Sequence, residues 1–174
     1  MFGYFFPDII YDSVYDIDYG ALKEKNIKGI IFDIDNTLVS YKQENPTREV
    51  RALMDKLTAC GFLVCFVSNN TKQRVDAFNG EFKFFSFADA KKPSARYVRE
   101  ALKAMGLPKE NAVFIGDQLF TDVAAAKRAG IMAVLVNPIE PLESLFFKLK
   151  RFMEKPFIKI YYSRQNKRKI GDRQ

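Results

Sequence analysis

The chain contains no histidine and no tryptophan in 174 residues, and only two cysteines. Without an imidazole it can build no Ser-His or Cys-His nucleophile and no zinc site that rests on histidine. Cys60 and Cys65 have neither CxxC spacing nor the number that a secreted disulfide framework needs. They read as small buried thiols in a reducing compartment. Long apolar runs are missing too, and none approaches the roughly 20 residues of a membrane span. The first residues lack a basic region followed by an apolar one and carry Asp8, Asp12, Asp16 and Asp18 instead. The expectation is a cytoplasmic protein without signal or transit peptide.

What is present is an ordinary globular composition, 48% hydrophobic and 28% charged, enough for one domain with a real core. Charge is unevenly placed. Residues 142–174 hold ten Lys and Arg against three Asp and Glu, which accounts for the whole formal net charge of +7. Residues 1–141 are balanced. The imbalance suggests an anionic partner for the tail, either membrane surface or nucleic acid.

Hydrophobic patterning supplies the architecture. Lys28 to Asp33, Phe62 to Val67, Asn111 to Ile115 and Ile131 to Val136 are short apolar runs bounded by turn signals, as strands buried on both faces are. Phe82 to Ala88 is a weaker strand. Between them, Pro46-Thr47 to Ala59, Thr71 to Phe78, Ser94 to Met105 and Thr121 to Ala129 have helical spacing, and Gly61, Gly106 and Gly130 stand where helices end. Asp16 to Lys25 reads as a short helix before the first strand. The alternation predicts an α/β fold, a doubly wound, Rossmann-like parallel sheet with helices on both faces. The aromatic residues Phe2, Tyr4, Phe5, Phe6 and Tyr11 are expected to bring segment 1–26 onto the body.

The polar residues fall at the strand ends: Asp33 and Asp35, then Ser68 and Asn69, then Lys92, then Asp117 and Asp122. In open α/β sheets that edge is where ligands bind. Carboxylates with one lysine and a hydroxyl suit a hard cation such as Mg²⁺, which takes one or two carboxylates together with substrate phosphate. Lys92, the Ser68 hydroxyl and backbone N–H groups at helix starts would receive a phosphoryl group. A carboxylate can attack phosphorus, and a second acid two residues on can protonate the leaving oxygen and then activate water.

Asp33-Ile34-Asp35-Asn36-Thr37, Ser68, Lys92 before Pro93, and Gly116-Asp117-Gln118-Leu119-Phe120-Thr121-Asp122 together resemble the four motifs of the haloacid dehalogenase (HAD) superfamily, in order. The resemblance implies Asp33 as nucleophile and metal ligand. It makes Asp35 the general acid and base, which also offers its backbone carbonyl to Mg²⁺. Thr37 would orient the first motif and border the substrate. Ser68 and the Asn69 backbone would hold phosphoryl oxygens, Lys92 would neutralise them and the nucleophile, and Asp117 would bind metal with Asp122 in support. An acid at position 35 implies phosphate monoester hydrolysis.

Neither Thr37 to Ser68 nor Ser68 to Lys92 has room for an inserted cap domain, so a capless, open site and a large substrate are expected. Leu142, Leu145, Phe146, Leu149, Phe152 and Met153 fall on one helical face beside Lys148, Lys150, Arg151 and Lys155. A basic amphipathic helix of this kind can lie on an anionic membrane, and equally can pack on the sheet. Arg164 to Arg173 is expected to be disordered. The expected division is a phosphatase domain over 1–141 and a basic tail over 142–174.

Pro7-Asp8, Ile30 to Leu38, Ser68-Asn69-Asn70 and Ala90-Lys91-Lys92-Pro93, with the segment from Gly116 to Asp122, resemble the YqeG-like family of HAD subfamily IIIA and the related mitochondrial phosphatidylglycerophosphate phosphatases. That resemblance implies an anionic phospholipid substrate and a peripheral position on the inner membrane surface. Two alternatives stay open: a phosphoprotein or nucleic-acid phosphate end as substrate, and an RNA- or ribosome-binding factor that uses the basic tail as its handle.

Overall fold

The computed structural model describes residues 3–140 and 152–163. Six strands form one sheet in the order β1-β6-β5-β2-β3-β4. They are Ile9–Tyr11 (β1), Gly29–Phe32 (β2), Leu63–Val67 (β3), Phe85–Phe87 (β4), Ala112–Gly116 (β5) and Met132–Val136 (β6). Every pairing is parallel, and β2 lies between β3 and β5. The expected doubly wound sheet is what the chain forms.

The apolar runs split by residue parity, because successive side chains leave opposite faces of a strand. Ile30, Phe32, Val64 and Phe66 join one core, while Ile31, Cys65, Val67 and Phe114 join the other. Helices α1 (Tyr19–Glu24), α2 (Arg48–Ala59) and α3 (Lys72–Asn79) contribute Leu22, Val50, Leu57, Val75 and Phe78 to the first. Helices α4 (Arg96–Met105) and α5 (Ala124–Ala129) give Val98, Ala101, Leu102, Ala125 and Ala126 to the second. Three of the helix starts follow from side-chain caps: Asp18, Thr47 and Thr71 accept the N–H groups of Ala21, Val50 and Arg74.

Chain direction reverses between β2 and β5. From β2 the chain steps outward to β3 and β4; it then crosses back through α4 to β5 and moves the other way to β6. The loops after β2 and β5 therefore diverge and leave a crevice at the carboxyl edge, which is where doubly wound sheets bind ligands. Between β2 and β3, and between β3 and β4, the chain holds one helix each. No cap is inserted.

Two elements differ from the sequence pattern. Strand β1 lies on the outer edge beside β6, pinned by Asp8: its N–H donates to Ala133 O at 2.8 Å, its carboxylate accepts Ala133 N–H at 2.7 Å, and it pairs with Lys127. A three-residue strand after a proline carries too little pattern to announce itself. Strand β4 is confined to Phe85–Phe87, since Lys83 takes a left-handed φ of 56° that interrupts extension. Phe82 and Phe84 instead stack at 5.4 Å and pack against Phe66, an aromatic cluster in place of a longer strand.

Residues 152–163 form a further helix, α6. Phe152 and Met153, expected on the same apolar face as Leu149, are exposed, while Phe157 and Ile158 pack on the second core. The remaining tail residues, including Leu142 to Leu149 and Arg164 to Arg173, lie outside the described residues. Among those described, no helix is long and apolar enough to cross a membrane.

Candidate active site

The residues at the four strand exits meet in one cleft. It is lined by Asp33, Asp35, Ser68, Asn69, Lys92 and Asp122, together with Tyr41, Asn70, Gln118 and Thr121, around about 250 Å³ of empty space open to solvent.

At its base Lys92 donates to three oxygens: Asp33 Oδ1 at 2.6 Å, Asp122 Oδ1 at 2.8 Å and Val67 O at 2.9 Å. Its Nζ also lies 5.3 Å from the Phe114 ring centroid. With all three ammonium protons placed, a fully buried lysine is tolerated. Burial alone lowers its pKa, but the Asp122 and Asp33 charges outweigh it and leave the ammonium raised and charged. The Asp33 carboxyl is also raised from its ordinary range. Burial pushes it up to about 7; Lys92 opposes the rise and the Asp122 charge adds to it.

One carboxylate oxygen from each of Asp33, Asp117 and Asp122 lies within 4.8 Å of the others, and all three residues are buried. Asp33 and Asp122 share the Lys92 ammonium and Asp117 brings a third buried carboxylate beside them, and burying charge of one sign is costly. Clustered hard oxygen donors of this kind fit a divalent cation. Gly116 makes the arrangement feasible: a Cβ there would sit 2.6 Å from the Asp122 side chain. Asp122 also accepts the Gln118 N–H at 2.9 Å, which folds the loop after β5 back on itself.

Thr37 and Asp117 lie beneath the cleft rather than lining it. The Thr37 hydroxyl lies 3.4 Å from both Asp33 Oδ2 and Asp117 Oδ1, a placement suited to orienting the first motif. The Asp35 carboxylate turns away from the acidic cluster. It accepts from Asn70 Nδ2 at 3.0 Å and pairs with Arg74 at 3.0 Å. Any part Asp35 takes in holding a metal therefore falls to its backbone carbonyl. The Ser68 hydroxyl accepts the Asn70 N–H at 3.0 Å, so its own proton is available to a ligand. Asn69 grips the Lys92 backbone at both ends, accepting Lys92 N–H at 2.7 Å and donating to Lys92 O at 3.2 Å.

Arg74 is absent from the sequence expectations. From α3 it reaches the Asp35 carboxylate, Gln43 O at 2.6 Å and Glu44 O, tying the acid to the loop that follows the first motif. Arg74→Ala is expected to lower unfolding free energy by about 3 kcal/mol, the cost of stranding a buried carboxylate. Arg74→Lys, which cannot span all three acceptors, should recover only part of that in urea denaturation. A loss under about 0.5 kcal/mol for Arg74→Ala would mean that water replaces the guanidinium.

Comparison with known proteins agrees with this geometry. The HAD-hydrolase-like family model matches residues 90–138. The chain is 35% identical over 152 residues to the probable phosphatase YqeG of Bacillus subtilis, spanning 87% of this chain and 88% of that protein. It is 26% identical over 149 residues to the chloroplastic/mitochondrial phosphatidylglycerophosphate phosphatase 1 of Arabidopsis thaliana, covering 80% of this chain but 43% of that one. Among solved structures, a HAD phosphatase from Thermococcus onnurineus superposes with a TM-score of 0.54 at 16% identity, over 68% of this chain and 90% of that one. CbbY from Rhodobacter sphaeroides, in complex with phosphate, gives 0.53 at 16% identity over 69% and 90%. Parallel sheet, crevice and full-length relative lead to one conclusion: the chain belongs to the HAD-like hydrolases and is a phosphatase of that family.

Proposed function

We propose that the chain is a Mg²⁺-dependent phosphomonoesterase working through an aspartyl-phosphate, with phosphatidylglycerophosphate as its substrate and phosphatidylglycerol as its lipid product. The observation that carries the chemistry is Asp33, buried 2.6 Å from Lys92 at the base of an open cleft, with Asp35 two residues on. Asp33 is the nucleophile: its carboxylate oxygen forms the new bond to phosphorus as the ester bond breaks. Asp35 gives its proton to the departing alkoxide, then takes one from the water that attacks the aspartyl-phosphate and frees Asp33. The Ser68 hydroxyl and the Asn69 backbone hold phosphoryl oxygens, and Lys92 offsets the charge that Asp33 and the phosphoryl group bring together. Asp33, Asp117 and Asp122, with the Asp35 carbonyl, would hold the metal. When bound it supplies Lewis-acid stabilisation of the transferring group.

The lipid reading is supported by the capless cleft, by the relation to the Arabidopsis phosphatidylglycerophosphate phosphatase and by the basic tail. Residues 1–141 form most of the catalytic body, α6 packs on it through Phe157 and Ile158, and the basic residues from 142 onward that do not face the body meet an anionic membrane surface, which would place the protein peripherally on the inner membrane.

The test is phosphate release from phosphatidylglycerophosphate in mixed micelles, with Mg²⁺ and then with excess EDTA. Release is expected with Mg²⁺, to stop on chelation and to return when Mg²⁺ is restored. Full activity in EDTA would overturn the metal assignment. An inert lipid with a hydrolysed aryl phosphate would overturn the substrate and turn the search to phosphoproteins and nucleic-acid phosphate ends.

A further inference from the structure

Helix α6 has two unlike faces. Glu154, Phe157, Ile158 and Tyr161, spaced at i, i+3, i+4 and i+7, turn toward the body. The Phe157 ring meets Phe5 and Phe120 edge-on, each at 5.6 Å, and Phe5 meets Phe120 at 5.2 Å. The Tyr161 hydroxyl donates to Asp8 O at 3.4 Å. Glu154, 1% exposed, accepts the Leu119 N–H at 3.0 Å.

Leu119 opens a π turn, Leu119–Val123, which leads into α5. An N–H at the start of a helical segment lacks an intrahelical acceptor, and negative charge there is favourable. A glutamate buried this deeply is retained only where its oxygens are hydrogen-bonded. The bond therefore serves both partners, and it falls on the loop that carries the acidic cluster. Leu119 stands between Asp117 and Asp122, and Asp122 is gripped on its other oxygen by Lys92. Phe120, the next residue, is the one clamped by Phe5 and Phe157. The loop is thus held from outside at two consecutive residues, both times through α6.

We propose that Glu154 is a positioning residue for the acidic cluster, acting through the Leu119 amide, and that α6 is a structural part of the active site rather than a separable tail. This rests on the reading of Asp117 and Asp122 as metal-holding residues. Losing the Glu154 acceptor lets the start of the π turn drift and spreads the oxygens of the cluster. Partners that orient metal ligands without touching the metal typically govern affinity by about 10- to 100-fold.

The test uses the full chain with Glu154→Ala, Glu154→Asp and Glu154→Gln. Amide hydrogen exchange is followed in the metal-free protein, and the Mg²⁺ concentration at half-maximal hydrolysis of a soluble aryl phosphate is measured beside it. Glu154→Ala is expected to speed exchange over 117–123 at least about tenfold while amides of β2 and β3 keep their protection, and to raise half-saturating Mg²⁺ by about tenfold or more. Glu154→Gln still offers an acceptor oxygen and should stay within about threefold of wild type. Glu154→Asp, one methylene short, gives smaller changes of the same kind and replaces the alanine variant if that one does not fold. Unchanged loop exchange and Mg²⁺ response in the alanine variant would overturn the proposal, as would faster exchange throughout the sheet or equal effects from Gln and Ala. A wild-type protein that turns over without metal would refute the reading of the cluster, while the loop-exchange arm would still judge Glu154.

Discussion

Asp33→Asn is expected to lower kcat by at least about 10³-fold while leaving the sheet and its cores intact. The substitution keeps the shape and the amide can still lie against Lys92, but an amide oxygen is a poor nucleophile and cannot form the acyl phosphate. Turnover near that of wild type, on aryl phosphate or on lipid, would remove Asp33 from the nucleophile's role. The same variant reports on the charge stored in the cleft. In the folded, metal-free protein the Asp33 carboxyl is pushed up to about 7 by burial, so it keeps a proton that the unfolded chain has already lost. Between about pH 4 and pH 7 its contribution therefore turns against folding as pH rises. Relative to Asp33→Asn, metal-free wild type should lose stability over that interval by an amount on the order of a few kcal/mol. Urea denaturation of both proteins near pH 4.5 and pH 7.5 measures the gap; a gap that does not move with pH would mean Asp33 is already ionised in the acid range.

Lys92→Met should have the second largest effect, and on two counts. Methionine matches the length of the lysine stem and lies comfortably against Phe114, so packing is preserved while the charge is lost. Asp33 and Asp122 then lose the cation they share. Removing one partner from a buried ion pair costs about 3–5 kcal/mol, which for a chain of this size lowers Tm by roughly 10 °C. Adding Mg²⁺ should return part of that loss, because a cation in the cluster again balances the carboxylates. Catalysis should not return with it, since nothing then neutralises the phosphoryl oxygens from the Lys92 side. A metal-free Tm within about 2 °C of wild type would show that the carboxylates take up protons at little cost.

Much of this site could be read from the chain because the exits of parallel strands converge whatever lies between them. Asp33, Ser68, Lys92 and Asp117 each end or closely follow a strand, and the doubly wound order brings those ends together. What was hidden depends on partners distant in sequence. Arg74 sits one turn into α3 and looks like any solvated arginine; only the pairing of β2 with β3 brings it to Asp35, 39 positions away. Glu154 is one acid in a basic tail, and its value appears only once α6 is seen against the π turn. Asn36, in the turn after β2, is fully buried. Its amide donates to Glu140 O at 2.8 Å and its carbonyl accepts Glu140 N–H at 3.1 Å, fastening the chain after β6 to the first motif.

The position of β1 has a temporal consequence. Among the described residues its neighbour in the sheet is β6, made about 120 residues later, so β1 waits for that partner until most of the described body has been synthesised. At ordinary elongation rates that wait is on the order of ten seconds, during which Ile9 and Ile10 are exposed beside the aromatic residues around them. Strands β2, β3 and β4 can assemble meanwhile, since each pairs with its neighbour in sequence. Nascent chains stalled before β6 should therefore carry a formed half-sheet and an unpaired, sticky β1 segment that invites a chaperone, and release of that segment should coincide with synthesis of β6.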